Sequence, residues 1–295
     1  MKKALMQLHL AVFLWGFTGV LGRLITLSET WLVWWRLFIT AASLWIMFFF
    51  LKQIKRLPFR SVSYIAFLGT IQALHWVGFY GSIKYANVTI ALTTLSTSAL
   101  MAALLEPVVM KKRFDLIEII LGFFALAGIV IIYYSHLQFS IGIIIGLIAA
   151  LLTVIVSVLN KKMIDTYDPQ SITLYQLTGG FIGLTILLPL YQFLFPSHSF
   201  MPVAMDWLWL VLLSWVCTIF TFFLYIRSLK KVSAFTMNLT LTLEPVYGII
   251  LAFLLFKENK EMSIWFYAGF ALISLSVLFH MWRILKPFNQ YQAGE

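Results

Sequence analysis

Apolar runs of about 20 residues recur along the chain between short polar breaks. Ten are long enough to cross a bilayer as a helix: Leu8–Thr26, Trp31–Leu51, Ser61–Ser82, Val88–Met110, Ile117–Tyr134, Phe139–Leu159, Ser171–Leu190, Trp207–Tyr225, Ala234–Phe256 and Met262–Met281. The longest connection, Tyr191–Asp206, has 16 residues, and the breaks KQIKRLPFR and KKRFD are basic. The pattern predicts an all-α membrane protein of ten transmembrane helices with almost no mass outside the bilayer. An even count puts both termini on one side.

Composition sharpens this. Only 11% of the 295 residues are charged and 62% are hydrophobic, with a mean hydropathy of +0.95. Soluble domains carry about a quarter charged residues, and here too little polar surface exists to cover a soluble globule. The net charge of +10 would suggest nucleic acid in a soluble chain. Most basic residues lie in short loops, so membrane orientation explains them better and no nucleic-acid partner is expected. With the N-terminus inside, inner segments hold 16 of the 21 Lys and Arg residues. The outer ends hold Arg23, Lys84, Lys257 and Lys260, the last two balanced by Glu258 and Glu261. The positive-inside rule therefore places both termini in the cytoplasm. Trp31, Trp207 and Trp282 stand near segment ends, as interfacial belts require. Met1-Lys2-Lys3 before an apolar run mimics a signal peptide, but no small-residue cleavage site follows, so the run reads as a retained first helix. The single Cys217 excludes an intrachain disulfide and a Cys-rich metal site.

The chain also repeats itself. SIKYANVTIALTTL (Ser82–Leu95) resembles SLKKVSAFTMNLTL (Ser228–Leu241) at an offset of 146, and GFFALAGIVI (Gly122–Ile131) resembles GFALISLSVL (Gly269–Leu278) at 147. More weakly, 10–25 resembles 147–164, which sets Arg23 against Lys161. Five helices repeat once, as 1–135 and 136–295, the second ending in a short cytoplasmic tail. Five is odd, so the second copy is inverted in the membrane. The charges agree: Lys111-Lys112-Arg113 is basic, whereas its counterpart Lys257–Glu261 is balanced. Inverted repeats serve secondary transporters, whose two halves exchange conformations around a midplane site. A receptor or scaffold has no such need.

Trp15-Gly16 in the first segment, Arg36 in the second, Ala91–Leu105 in the fourth and LEPVYGIILAFLLFKE (Leu243–Glu258) in the ninth resemble the EamA group of the drug/metabolite transporter superfamily. The five-plus-five architecture extends the resemblance over Gln7 to Trp282. It implies a small-metabolite permease, many such permeases being amino-acid exporters. Copy one departs from the family's usual proline: Ser98 stands where copy two has Glu244, and Glu106-Pro107 comes eight residues later.

Glu244 falls near the midplane of the ninth segment, where a carboxylate costs roughly 3 kcal/mol unless it faces protein or water. Pro245 beside it predicts a kink, and Thr240, Tyr247 and Gly248 share its face. It suits a proton carrier or a cation-binding carboxylate, or else a structural acid bonded to backbone freed by the proline. His75, with Gln72, Phe79 and Ser82 at spacings three, four and seven, would shuttle a proton or bind a substrate carboxylate, or would tie helices together. No second His or acid at i+4 supports a metal. Arg36 could clamp an anion; snorkelling to the outer interface or pairing with Glu29 is the favoured reading. Among many aromatics, Trp15, Tyr80 and Tyr247 are the chosen pocket rings. Asn238 and Gln176 are further cavity candidates. The Thr93-Thr94, Ser96–Ser98 and Thr240/Thr242 clusters read as glue between helices.

No HExxH, GxSxG or P-loop pattern is present, so neither an enzyme nor ATP use is supported, and no cofactor is expected. The reading is a multi-pass secondary transporter of the bacterial inner membrane, moving an amino acid or related compound outward by alternating access, with protons as a possible coupling ion. A channel and a lipid flippase or scramblase are the rivals.

Overall fold

The computed structural model describes residues 2–111, 115–164, 166–196, 200–229, 240–241 and 243–292, and among them every regular element is helical. The helices are α1 (Lys2–Leu24), α2 (Glu29–Phe50), α3 (Phe59–Tyr85), α4 (Val88–Ser96), α5 (Ser98–Met110), α6 (Leu116–Ser135), α7 (Ser140–Ile164), α8 (Pro169–Leu194), α9 (Ala204–Val211), a π-helical stretch (Leu212–Phe220), α10 (Thr221–Leu229), α11 (Glu244–Phe256) and α12 (Ile264–Gln292). Eight stretches are long and apolar enough to cross a membrane, with α4–α5 and α9–α10 each forming one of them; Glu244–Phe256 and Ile264–Phe279 are shorter apolar helices. The chain is an integral membrane protein. Most helices outrun the apolar segments, because the cylinder continues into polar flanks that hydropathy does not register. The tail expected after Met281 is helical to Gln292.

Two interruptions correspond. α5 and α11 each have 13 residues and start 146 positions apart. Thr97 and Leu243 precede them as turn-like residues, with φ −71° and −82°. The Thr97 amide bonds to the Thr94 carbonyl at 3.2 Å, and the Leu243 amide bonds to the Thr240 carbonyl at 3.1 Å. Both short helices end in a lysine at positive φ, Lys111 at 54° and Lys257 at 57°. Two different chemistries produce the breaks. Pro245 takes one of the first positions of α11, where its missing N–H is not needed; it begins a helix there instead of kinking one. In copy one no proline stands at the break, and Pro107 lies further along α5. Hydroxyls of Thr93, Thr94, Ser96 and Thr97 bond to carbonyls three or four residues back, at 2.6–2.8 Å, and compete with the main-chain ladder. These side chains were expected to join neighbouring helices. They spend their hydroxyls on their own turn because a donor within a helix finds the preceding carbonyl closest.

Packing brings the two halves together. α3 lies against α7 and α8, α6 against α12, and α1 against α10 and α11. The α1–α11 crossing is a backbone contact: a Cβ on Gly16 would sit 2.9 Å from the Glu244 carbonyl, and one on Gly248 would sit 2.9 Å from the Gly16 carbonyl. The main core gathers residues from α1–α4, α7, α8, the π-helical stretch and α11.

The two ends of the bundle are fastened differently. At the end away from the N-terminus, here the distal end, Glu258 is completely buried. Its carboxylate pairs with Arg23 and accepts from the Val88 and Thr89 amides at 3.1 and 2.7 Å, closing the N-terminus of α4 where its dipole favours an anion. Nearby, Asp206 accepts from the Thr26 amide and hydroxyl, and Asn87 donates to Glu261. Glu258 and Glu261 thus serve partners 169 and more positions away, not the adjacent lysines that the local sequence offers. At the proximal end the described polar ties are more exposed. Arg283 pairs with Asp115 and holds its carboxyl below the usual carboxylate range. Asp168 caps α8 by accepting from Ser171 and binds Lys55 at 3.0 Å. Partial burial pulls the Asp168 carboxyl upward, but these donors outweigh it and hold it below its ordinary value.

Candidate functional site

Arg36 organises the interior. It lies on α2 about 10 Å from the helix start at 1.5 Å per residue, and it is 4% exposed. It neither snorkels nor pairs with Glu29, which instead accepts from the Tyr191 hydroxyl. The reason is a prepared shell on the inward side. Arg36 donates to the Tyr80 hydroxyl at 2.9 Å and, through Nε and one Nη, to the Thr218 hydroxyl at 3.3 and 3.0 Å. Its guanidinium carbon sits 3.9 Å from the centre of the Trp76 ring.

Thr218 belongs to the π-helical stretch. Its hydroxyl donates to the Leu213 carbonyl five residues back at 2.8 Å, a bond that suits the wider π turn, and π segments within helices often mark functional sites. That leaves the Thr218 oxygen free to accept from Arg36. Ser214, one turn earlier, donates to the Arg36 carbonyl at 3.3 Å. The π-helical stretch is therefore fitted to α2 at Arg36, and the Trp215 indole adds a second tie by donating to Ser43 at 3.0 Å.

Glu244 opens α11 beside the α1 crossing. It is partly buried. Its carboxylate has no hydrogen-bond or ion-pair partner among the described residues, and the charge of Arg36 acts on it through space. Trp76, Gln72, Thr218 and Trp15 are likewise only half-buried, although Trp76 and Thr218 surround the buried Arg36. These partly exposed side chains come from α1, α3, the π-helical stretch and α11.

The sequence-derived residues distribute as follows. Arg36, Tyr80 and Glu244 belong to one electrostatic neighbourhood, and Gln72 stands four residues before Trp76 on the same face of α3. Tyr80 is fully buried and acts on Arg36 through its hydroxyl, not as a pocket wall. Tyr247 contacts His9 at 3.1 Å and packs edge-on to Phe13, while Trp15 packs on Tyr225. His75 points to α7: its Nδ1–H donates to the Ala149 carbonyl at 2.8 Å, which ties two helices. Gln176 accepts from Asn160 at 3.1 Å on the α7–α8 side and is not brought to Arg36 by any described contact. Asn238 lies outside the described residues. Sequence reasoning missed Thr218 and passed over Trp76 in favour of other rings. Neither carries a local signal, since both are ordinary residues in an apolar helix until Arg36 is known to point at them. No group of three or more His, Cys, Asp or Glu suitable for a metal occurs among the described residues.

Comparison with known proteins agrees with the two-part architecture. The family model described as "EamA-like transporter family" matches twice, over residues 2–134 and 140–280. No curated protein matches the sequence. A solved structure, titled only as the crystal structure of a protein, aligns over 94% of this chain and 96% of its own, at a TM-score of 0.59 and 16% identity. At that identity the likeness concerns the fold alone.

Proposed function

The chain belongs to the EamA-like transporter family of small-solute membrane transporters, and from that premise we propose that it is a secondary transporter working by alternating access. The solute would bind between Arg36 and Glu244. Ten membrane crossings form two inverted halves, with both termini in the cytoplasm of a bacterial cell and the distal end facing outward. Export of an amino acid or related compound is the favoured activity, with Glu244 carrying the coupling proton.

The observation that carries this reading is the pair of matching interruptions at Thr97 and Leu243. Discontinuous helices in corresponding positions of two inverted halves are the usual construction of a midplane site. The second interruption places an acid, without a described partner, at the start of its half-helix. The buried ties at the distal end support a conformer closed on that side. The exchange step would release Glu258 from α4 and Arg23.

The test is flux from proteoliposomes loaded with a labelled amino-acid mixture, with and without an inward proton gradient, read by mass spectrometry. Saturable, selective loss that responds to the gradient is expected. Flux without saturation or counterflow would make the protein a channel, and transfer of labelled lipid between leaflets would make it a flippase or scramblase.

A further inference from the structure

We propose that Arg36 is the docking group for a carboxylate carried by the transported solute. The proposal rests on the transporter reading above and assigns the solute's chemistry.

Arg36 is a permanent cation inside the bundle, and no carboxylate lies within 4 Å of it among the described residues. A buried charge without a counter-ion is unfavourable, yet the surroundings hold this one in a fixed pose. Both hydrogen-bond partners, Tyr80 and Thr218, are neutral hydroxyls, and Trp76 covers one face of the guanidinium plane. This shell orients the cation without neutralising it. A guanidinium has five N–H groups. Nε and one hydrogen on each Nη are engaged, which leaves two free, one on each terminal nitrogen. Two N–H groups on neighbouring nitrogens are what a carboxylate needs for paired parallel bonds.

Two further features place the ligand. Trp76 and Thr218, in direct contact with the guanidinium, retain accessible surface, so the buried Arg36 lies one side chain away from space that a solute could reach. Glu244 feels the charge of Arg36 but forms no ion pair with it. The two groups are thus more than 4 Å apart, so Glu244 does not take up the two free N–H groups. A neutral or purely cationic solute would offer those two N–H groups no anion.

Purified protein is melted in detergent with sodium acetate, sodium chloride or acetamide at matched ionic strength. Acetate is expected to raise the midpoint of the wild type above both controls, and to lose that effect in Arg36→Gln. In proteoliposomes loaded with a metabolite mixture, every solute released is expected to carry a carboxylate. Arg36→Lys, which keeps the charge but not the fork, should raise KM at least about tenfold with a smaller change in maximal rate. An acetate midpoint equal to that in chloride, saturable release of solutes lacking a carboxylate, or an unchanged KM in Arg36→Gln would overturn the assignment. If no solute is released saturably, the transporter reading fails, while the acetate shift still reads Arg36 by itself. Should the Arg36 variants not fold, the acetate response of Trp76 emission, taken as wild type minus Trp76→Phe, decides the matter. A difference supports the carboxylate site, and its absence refutes it.

Discussion

Glu258→Gln tests the closure of the distal end most directly. The carboxylate is fully buried and joins three groups: the Val88 and Thr89 amides at the N-terminus of α4, and Arg23 at the end of α1. Glutamine keeps the shape but removes the charge, weakens both amide contacts and leaves Arg23 without its anion. Removing one member of a buried pair typically costs 3–5 kcal/mol. Arg23 is about one-third exposed, so water recovers part of its loss and roughly 3 kcal/mol is the better figure. If these contacts exist only while the distal end is closed, that energy moves the conformational balance and not the folding balance. At 1.4 kcal/mol per factor of ten, the shift is about 100-fold. The assay is labelling of Leu27→Cys, a buried distal position, in a Cys217→Ser background with a membrane-impermeant maleimide. The rate should rise by up to about 100-fold while the melting midpoint changes little. Unchanged labelling, or faster labelling only in step with unfolding, would refute the latch and leave Glu258 as a static staple.

Glu244→Gln should abolish flux driven by a proton gradient while leaving folded protein and exchange down a solute gradient; undiminished gradient-driven flux removes Glu244 as the carrier. Gly16→Ala forces a methyl to 2.9 Å from the Glu244 carbonyl and should cost about 1–3 kcal/mol by overpacking, seen as a lower melting midpoint; a neutral result would mean that the α1–α11 crossing yields easily. Asp168→Ala should cost about 1 kcal/mol at neutral pH through loss of the α8 cap. The folded carboxyl lies below its ordinary value, so this contribution is present above about pH 4 and fades as pH falls through the folded value. The wild-type and variant midpoints should converge in acid, and a gap independent of pH would contradict the ionised cap.

The apolar runs made the helical, membrane-spanning class legible, because exclusion of charge over 20 residues is a property of the segment itself. The offset of 146 was legible too, and it reappears in the matching bounds of α5 and α11. What escaped was tertiary. The direction of Arg36 depends on Thr218, which lies 182 residues away and is presented by a π turn. The partners of Glu258 and Glu261 come from α1 and the start of α4, so the neighbouring lysines were a misleading guide. The break at Thr97 escaped because it is made by hydroxyl rotamers, and a run of Thr and Ser in an apolar helix looks like packing glue until its bonds are seen. Pro245 announced the other break by its residue type.

That contrast gives the two halves unequal stiffness. A break held by hydroxyl bonds to nearby carbonyls can be mended by turning side chains about χ1. A break made by a ring closed on its own nitrogen cannot, because no rotation restores the missing N–H. At Thr97 the fourth segment of copy one thus has a joint that side-chain rotation can straighten, whereas Pro107 further along α5 and Pro245 in copy two are fixed elbows. An alternating-access cycle would find its softest backbone joint at Thr97, and the two halves would not bend alike despite the symmetry of their architecture.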